Sequence, residues 1–388
     1  MAYPSTVQAI EAELARLAAE HPDLCTRSVA PNRSHEGRSI SYVTISGGAS
    51  GGRPVFITGG MHAREWAPPD VLLTLLDRLL RAYESGSDFV VSAFTDTAPA
   101  RDIVYPEVAI PAASVKRIVE RLDFSVLALI NPDGRAFSQS SAANVMWRKN
   151  RRPPASFGTT CRGVDLNRNF DLAWDFERYY NDAGDVAVSA SNDPCDFQVY
   201  VGPSALSEPE SRNVASILRE RRAEFYIDVH SFSRKILFPW GMDSNQSRDP
   251  AQNFRNPAFD GRRDGGPGGP YGEFVPRDLL DEHVRIGTAM HDAMIAGAGS
   301  DPRARARSEY AVEPGLALYP TTGTASDYAA SLQFVDDPSA ERIIAYTLEI
   351  GMDIDGEGSF QPVRAIYPKI EREVHLALMA FLSAAAAD

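Results

Sequence analysis

His62 and Glu65 stand three residues apart in the stretch GGMHAREWAPPD, directly after the apolar run PVFIT. A neutral imidazole and a carboxylate at this spacing supply two of the three protein ligands of a catalytic zinc, which keeps a further position open for water. An H-x-x-E pair alone recurs freely, so the pattern calls for a third ligand elsewhere. Other polar residues also close apolar runs: Asn131 and Asp133 after SVLALI, His230 after FYIDV, and Glu349 within YTLEIG. Ligands of open α/β sheets bind outside the carboxyl ends of strands, so these residues are expected to meet in one crevice, with His230 as the third zinc ligand.

The elements that must position them follow from periodicity. Strand-like runs occur at SISYVTIS, PVFITGG, DIVYPEVAI, FSVLALINPDG, EFYIDVHS, KILFPWG and YTLEIG. Helical patterns lie near 5–20, 68–84, 111–122, 207–222, 277–297 and 360–385. Their alternation predicts an α/β fold with a mixed, mostly parallel central sheet flanked by helices on both faces. Ser207 and Glu210 read as a capping box, and two prolines open the helix from 68. Residues 84–101, polar and small, and 243–276, rich in Gly, Pro, Asn and Arg, are expected to be inserted surface loops.

The 388 residues exceed an average domain, yet one domain over 1–388 is expected, since single α/β domains of roughly 300 residues exist. A net charge of −13 without a Lys/Arg block argues against nucleic acid or anionic lipid as partner. No apolar run approaches the roughly 18 residues of a membrane span, and the first residues read as an amphipathic helix, not a signal peptide. Of the three cysteines, Cys25 sits in an apolar context beside Leu24, which leaves Cys161 and Cys195 as the pair. If oxidised, that pair places the protein in an extracytoplasmic compartment.

Blocks in fixed order along the chain, AEHPDL, SHEGRSI, MHAREW, NPDG, MWRKNRR, GVDLNRNF, DVHSFS, LYPTTG and YTLEIG, make it resemble the zinc metallocarboxypeptidases of the carboxypeptidase A family. Carboxypeptidase A is itself a type example of the two-histidine, one-glutamate zinc site. The resemblance implies a zinc carboxypeptidase fold and one zinc per chain, held by His62, Glu65 and His230. It implies Glu349 as general base, and desolvation in an apolar strand would raise its pKa toward the range that role needs. Arg148 matches the residue that stabilises the oxyanion, a fixed charge opposing charge that develops in the transition state.

Asn167 and Arg168 match the clamp on the substrate's free carboxylate, where a planar fork binds both oxygens. Tyr319 matches a mobile tyrosine that closes over substrate. Arg64 matches a contact further from the substrate's C-terminus, and Asp165 a carboxylate that orients a ligand histidine. The specificity position, seven residues after the tyrosine, falls on Ser326, with Asp327 in the place of a structural aspartate. A buried Lys or Arg without a partner costs several kcal/mol, so neutral aromatic and aliphatic C-terminal residues are expected to be preferred. That expectation leaves open whether Asp264 or Glu273, from the inserted loop, reaches the pocket.

Two positions depart from the family pattern. Phe232 stands where many relatives carry a tyrosine, and Ile350, Gly351, Met352 and Asp353 replace a more usual Leu-Arg-Asp. On the resemblance, the chain is expected to begin where a mature enzyme of this family begins, without a propeptide. The reading is then of a monomeric, secreted or extracytoplasmic exopeptidase acting on peptide or protein C-termini, with a cytoplasmic location as the alternative. A relative cleaving peptidoglycan peptides or amides would share the metal site. A non-catalytic peptide-binding module on the same fold is the reading from a different class, which loss of Glu349, Arg148 or a ligand would have favoured.

Overall fold

In a computed structural model of the protein, which describes residues 3–48, 51–97, 102–154, 160–181, 187–266, 268–334, 342–353 and 357–387, the apolar runs assemble into one eight-stranded sheet. Its strands are β1 (Cys25–Val29), β2 (Ser41–Ser46), β3 (Arg53–Gly59), β4 (Leu122–Leu127), β5 (Phe225–His230), β6 (Lys235–Phe238), β7 (Ala311–Pro314) and β8 (Ile344–Glu349). They lie in the order β1-β2-β4-β3-β5-β8-β6-β7. The inner pairs β4-β3, β3-β5 and β5-β8 are parallel, while β1-β2, β2-β4 and β8-β6 are antiparallel.

Residues alternate between the two faces, as a pleated strand requires. Val55, Ile57, Phe225, Ile227 and Leu348 face one core, covered by helices α1 (Val7–Glu20), α2 (Ala67–Ser85), α6 (Arg277–Gly297) and α8 (Tyr367–Ala385). Phe56, Tyr226 and Ala345 face the other, covered by α5 (Pro209–Glu220) and α7 (Ala325–Ser331). Other helices include α3 (Ala112–Arg121) and α4 (Pro132–Ser138). In α1 the buried Val7, Ile10, Leu14 and Leu17 recur at the helical period, and Thr6 caps the N-terminus by accepting from the Ala9 amide.

Several expectations are corrected. DIVYPEVAI does not join the sheet: Pro106 splits it into Ile103–Tyr105 and Val108–Ile110, which pair with Phe94–Asp96 and Phe89–Val91. Residues 84–101 therefore carry strands where a loop was expected, with 98–101 outside the described residues. Edge strands β1 and β7 had no expectation. The capping box does not form, because the N-cap of α5 is Glu208, without a side-chain cap, and the Ser207 hydroxyl donates to the Glu208 carboxylate instead. The closing helix begins at Tyr367, next to Pro368, not near 360. The 243–276 segment, of which 267 is not described, is braced by pairing of Asn245–Gln246 with Glu273–Phe274 and by a buried Arg263–Glu273 ion pair.

Candidate metal centre and active site

Three adjacent parallel strands end at the same edge. β3 ends at Gly59 and leads into the turn carrying His62 and Glu65, β5 ends on His230, and β8 ends on Glu349, in register with His230. That edge brings His62, Glu65 and His230 together, all buried. Glu65 Oε1 lies 2.6 Å from His62 Nδ1 and Oε2 lies 3.1 Å from His230 Nδ1, while the two Nδ1 atoms are 3.1 Å apart.

Carboxylates stand behind both rings. His230 Nε2 lies 2.5 Å from Asp228 Oδ2. His62 Nε2 lies 3.2 Å from Asp165 Oδ1, an ion-pair separation more than an aligned hydrogen bond. His230 thus has an acceptor at Nε2 and His62 a carboxylate within ion-pair range there, and both rings turn Nδ1 inward. In that tautomer, two nitrogen lone pairs and a carboxylate face one another at close range, an arrangement that repels unless a cation lies between them. The donor set fits zinc, which accepts imidazole nitrogen and carboxylate oxygen. Without a cation, burial works against ionised Glu65, but the two histidines hold its carboxyl below the usual range. Burial likewise works against charged His230, while Asp228 and Glu65 hold its imidazole well above the usual range.

Glu349 keeps part of its surface open at the mouth of a pocket that Asn167, Arg168, Tyr319, Ser326 and Asp327 also line. Burial, with help from the Glu65 charge and against His230 and Arg148, pushes its carboxyl up to about 8. Arg148 is buried and bound through Nε and Nη2, each 3.0 Å from Asp165 Oδ2. Burial opposes its charge, but Asp165 raises its pKa further still, so the guanidinium is a permanent cation.

The short turn Leu166–Arg168 is capped by Asp165, which accepts from the Asn167 amide, so one carboxylate ties together Arg148, His62 and the turn. Asn167 Oδ1 accepts from the Ala325 amide at 2.8 Å. Arg168 donates to the Asn167 carbonyl and to Ser189, with the Tyr319 ring centroid 5.7 Å from its guanidinium. Tyr319 is itself 38% exposed, the side chain of this group with most freedom to move.

Ser326 takes a hydrogen bond from Thr347 Oγ1 at 3.0 Å, and Asp327 Oδ2 accepts from the Gly241 amide at 2.8 Å. Burial pushes the Asp327 carboxyl up to about 7. Glu273 is buried against Arg263 and Tyr271, and neither it nor Asp264 lines the pocket. Arg64 lies outside that pocket, its Nη2 donating to Gln198 Oε1 at 3.0 Å and its guanidinium 4.0 Å from the Phe360 ring centroid.

Asn131 and Asp133 do not join the crevice. Asn131 caps α4 and donates to the Met61 and Lys149 carbonyls, bracing the turn that holds His62. Asp133 binds Ser34, the Glu36 amide and Arg38. Asp228 escaped the sequence reading, although a signal existed: two residues before His230 on one strand, it must share that histidine's face. Gln198 carried no such signal.

The description "zinc carboxypeptidase" belongs to the family model that matches residues 10–375. Carboxypeptidase B of Bos taurus is 32% identical over 238 residues, 61% of this chain and 47% of the relative. Zinc carboxypeptidase A 1 of Anopheles gambiae is 32% identical over 245 residues, 62% of this chain and 46% of the relative. The matched stretch thus spans about half the length of these curated relatives. The carboxypeptidase A structure from Helicoverpa armigera superposes with a TM-score of 0.69 at 24% identity, covering 98% of this chain and 73% of that one. Bovine thrombin-activatable fibrinolysis inhibitor, in a complex with a tick carboxypeptidase inhibitor, gives 0.67 at 20% identity, covering 98% and 97%. At these identities the superpositions speak for the fold, and the match over 10–375 carries the assignment: the chain belongs to the zinc carboxypeptidase family.

Proposed function

We propose that the protein is a zinc-dependent exopeptidase that removes single residues from peptide C-termini. The observation that carries this reading is the union, at one sheet edge, of a three-ligand cluster with a pocket whose wall holds Asn167, Arg168 and Glu349. His62, Glu65 and His230 would hold zinc, which when bound supplies a Lewis acid and lowers the pKa of water. Glu349 takes the proton from the attacking water and passes it to the departing amine. The free carboxylate of the substrate lies between Asn167 and Arg168, which restricts cleavage to the last bond, and Tyr319 closes over it. Arg148, held by Asp165, opposes the charge that develops on the scissile carbonyl oxygen.

The C-terminal side chain enters the pocket beside Ser326. The described lining holds two carboxylates, Glu349, assigned here as the base and pushed up to about 8, and Asp327, committed to the Gly241 amide and raised toward neutrality, so neither is left to receive a cation. Neutral aromatic and aliphatic residues are therefore favoured over Lys and Arg. The Cys161–Cys195 disulfide suits an oxidising, extracytoplasmic setting, and among the described residues no helix is long and apolar enough to cross a membrane. Blocked dipeptides ending in Phe, Leu, Arg and Glu, incubated with and without a chelator, test the reading: chelator-sensitive release of Phe and Leu ahead of Arg supports it. Chelator-resistant release, or Arg equal to Phe, would refute the metal or the pocket assignment respectively.

A further inference from the structure

Outside the pocket, on the Arg64 side of the ligand cluster, large apolar side chains lie at the surface. Phe197 is 53% exposed and Met146 is 41% exposed. Trp147, next to Met146, meets Phe197 edge-on at 6.4 Å and Phe137 at 5.1 Å. The Arg151 guanidinium stands 3.7 Å from the Phe137 centroid and 5.0 Å from that of Trp147, stiffening the cluster from the side. Apart from Tyr319, the other exposed large hydrophobic residues among those described are valines at separate positions in the chain. Single exposed valines are ordinary, whereas clustered aromatic surface marks a contact site.

Both neighbours of Phe197 are tied to the active site. Gln198 accepts from Arg64, which sits in sequence between His62 and Glu65. The Asp196 carbonyl accepts from Lys149, the residue after Arg148. Two residues before Phe197, Cys195 is anchored by its disulfide to Cys161. The backbone carrying Phe197 is thus tied on both sides to residues next to the candidate catalytic groups, which lowers the ordering cost of binding there. The pocket beside Ser326 reaches His62 and Glu349, while Arg64 stands outside it next to the ligand residues. With the C-terminal residue in that pocket on the proposed reading, the remainder of the peptide is directed across the ligand cluster toward the Arg64 side. An extended strand advances about 3.3 Å per residue, so a few upstream residues carry it onto this rim.

We infer that Phe197, Trp147 and Met146 form a subsite for an aromatic or large aliphatic side chain of the substrate peptide, several residues before the cleaved bond. The inference rests on the exopeptidase reading and adds a preference for longer peptides with an apolar upstream residue. The test compares kcat/KM for a blocked dipeptide ending in Phe with blocked hexapeptides sharing that ending, in which a single Trp is walked through the four upstream positions of an otherwise Gly/Ser background. One Trp position should raise kcat/KM about tenfold over the all-Gly/Ser peptide, as partial burial of an aromatic ring allows. Phe197→Ser, at an exposed position that leaves the core intact, should cut this advantage below about twofold and leave the dipeptide rate unchanged; Met146→Ser should do the same in part. A wild-type enzyme indifferent to Trp at every position, or a Phe197→Ser loss shared equally by the dipeptide, overturns the subsite. Failure of the wild type to cleave any of these peptides refutes the exopeptidase reading itself, a result distinct from both.

Discussion

Asp165 offers the sharpest test of how the site is held. Its Oδ2 receives both Nε and Nη2 of Arg148 at 3.0 Å, while Oδ1 faces His62 Nε2 at 3.2 Å and accepts from the Asn167 amide at 3.1 Å. Burial alone would raise its carboxyl, but Arg148, His62 and Arg168 hold it well below the usual range, so it is ionised in neutral solution. Asp165→Asn keeps the shape and removes the charge. Whichever way the amide turns, its NH2 group confronts donors, either those of Arg148 or those of His62 and Asn167. Breaking a buried ion pair on one side costs about 3–5 kcal/mol, divided between stability and function. Residues that orient a ligand histidine typically account for 10–100-fold in metal affinity. If about 3 kcal/mol of the loss falls on Arg148 in the transition state, kcat/KM drops a further hundredfold or so. Zinc affinity, measured by competition with a chromophoric chelator, and kcat/KM at saturating zinc separate the two effects. A folded Asp165→Asn protein within threefold of wild type in both would show that Asp165 positions neither group.

Glu349→Gln should retain zinc and bind substrate while kcat falls by several orders of magnitude, because only the proton acceptor is lost; a variant keeping more than a few per cent of the wild-type rate would place the base elsewhere. The Cys161–Cys195 bond closes a loop with a sequence separation of 34, worth about 3–4 kcal/mol in the chain-entropy model. For a chain of this size, Cys161→Ser with Cys195→Ser should lower Tm by about 4 °C, and an unchanged Tm by calorimetry would refute that contribution. Burial pushes the Glu210 carboxyl up to about 7, so the folded protein binds its proton more tightly than the unfolded chain and loses stability as pH rises from the ordinary carboxyl range toward 7. Glu210→Gln should therefore gain in denaturation midpoint over wild type as pH increases from 4 to 8, and parallel pH profiles would contradict the assignment.

Much of the site could be read in the chain because the relevant geometry is local. His62 and Glu65 lie three positions apart, and a short turn suffices to bring their side chains together. His230 and Glu349 each close an apolar run, and strand polarity places such residues at a sheet edge. The aspartate two residues before His230 was equally readable, since strand alternation alone puts Asp228 on that histidine's face. Local pattern misled where a side chain had a choice of partners. The Ser207 hydroxyl donates to Glu208 instead of capping α5, and Asn131 and Asp133, though at a strand end, turn to brace neighbouring loops.

Spacing along the chain had no bearing on the adjacency of β3, β5 and β8, whose edge joins His62, His230 and Glu349 across intervals of more than one hundred residues. That order follows from burying two apolar faces beneath separate helix layers, a cooperative property of the whole core. The same packing decided that Glu273 pairs with Arg263, away from the pocket beside Ser326, and that Phe197 stands exposed next to Gln198, the partner of Arg64. Residue type and spacing specified which groups could do the chemistry; non-local burial decided which of them meet, because a side chain's neighbours across a sheet are chosen by the free energy of the entire core.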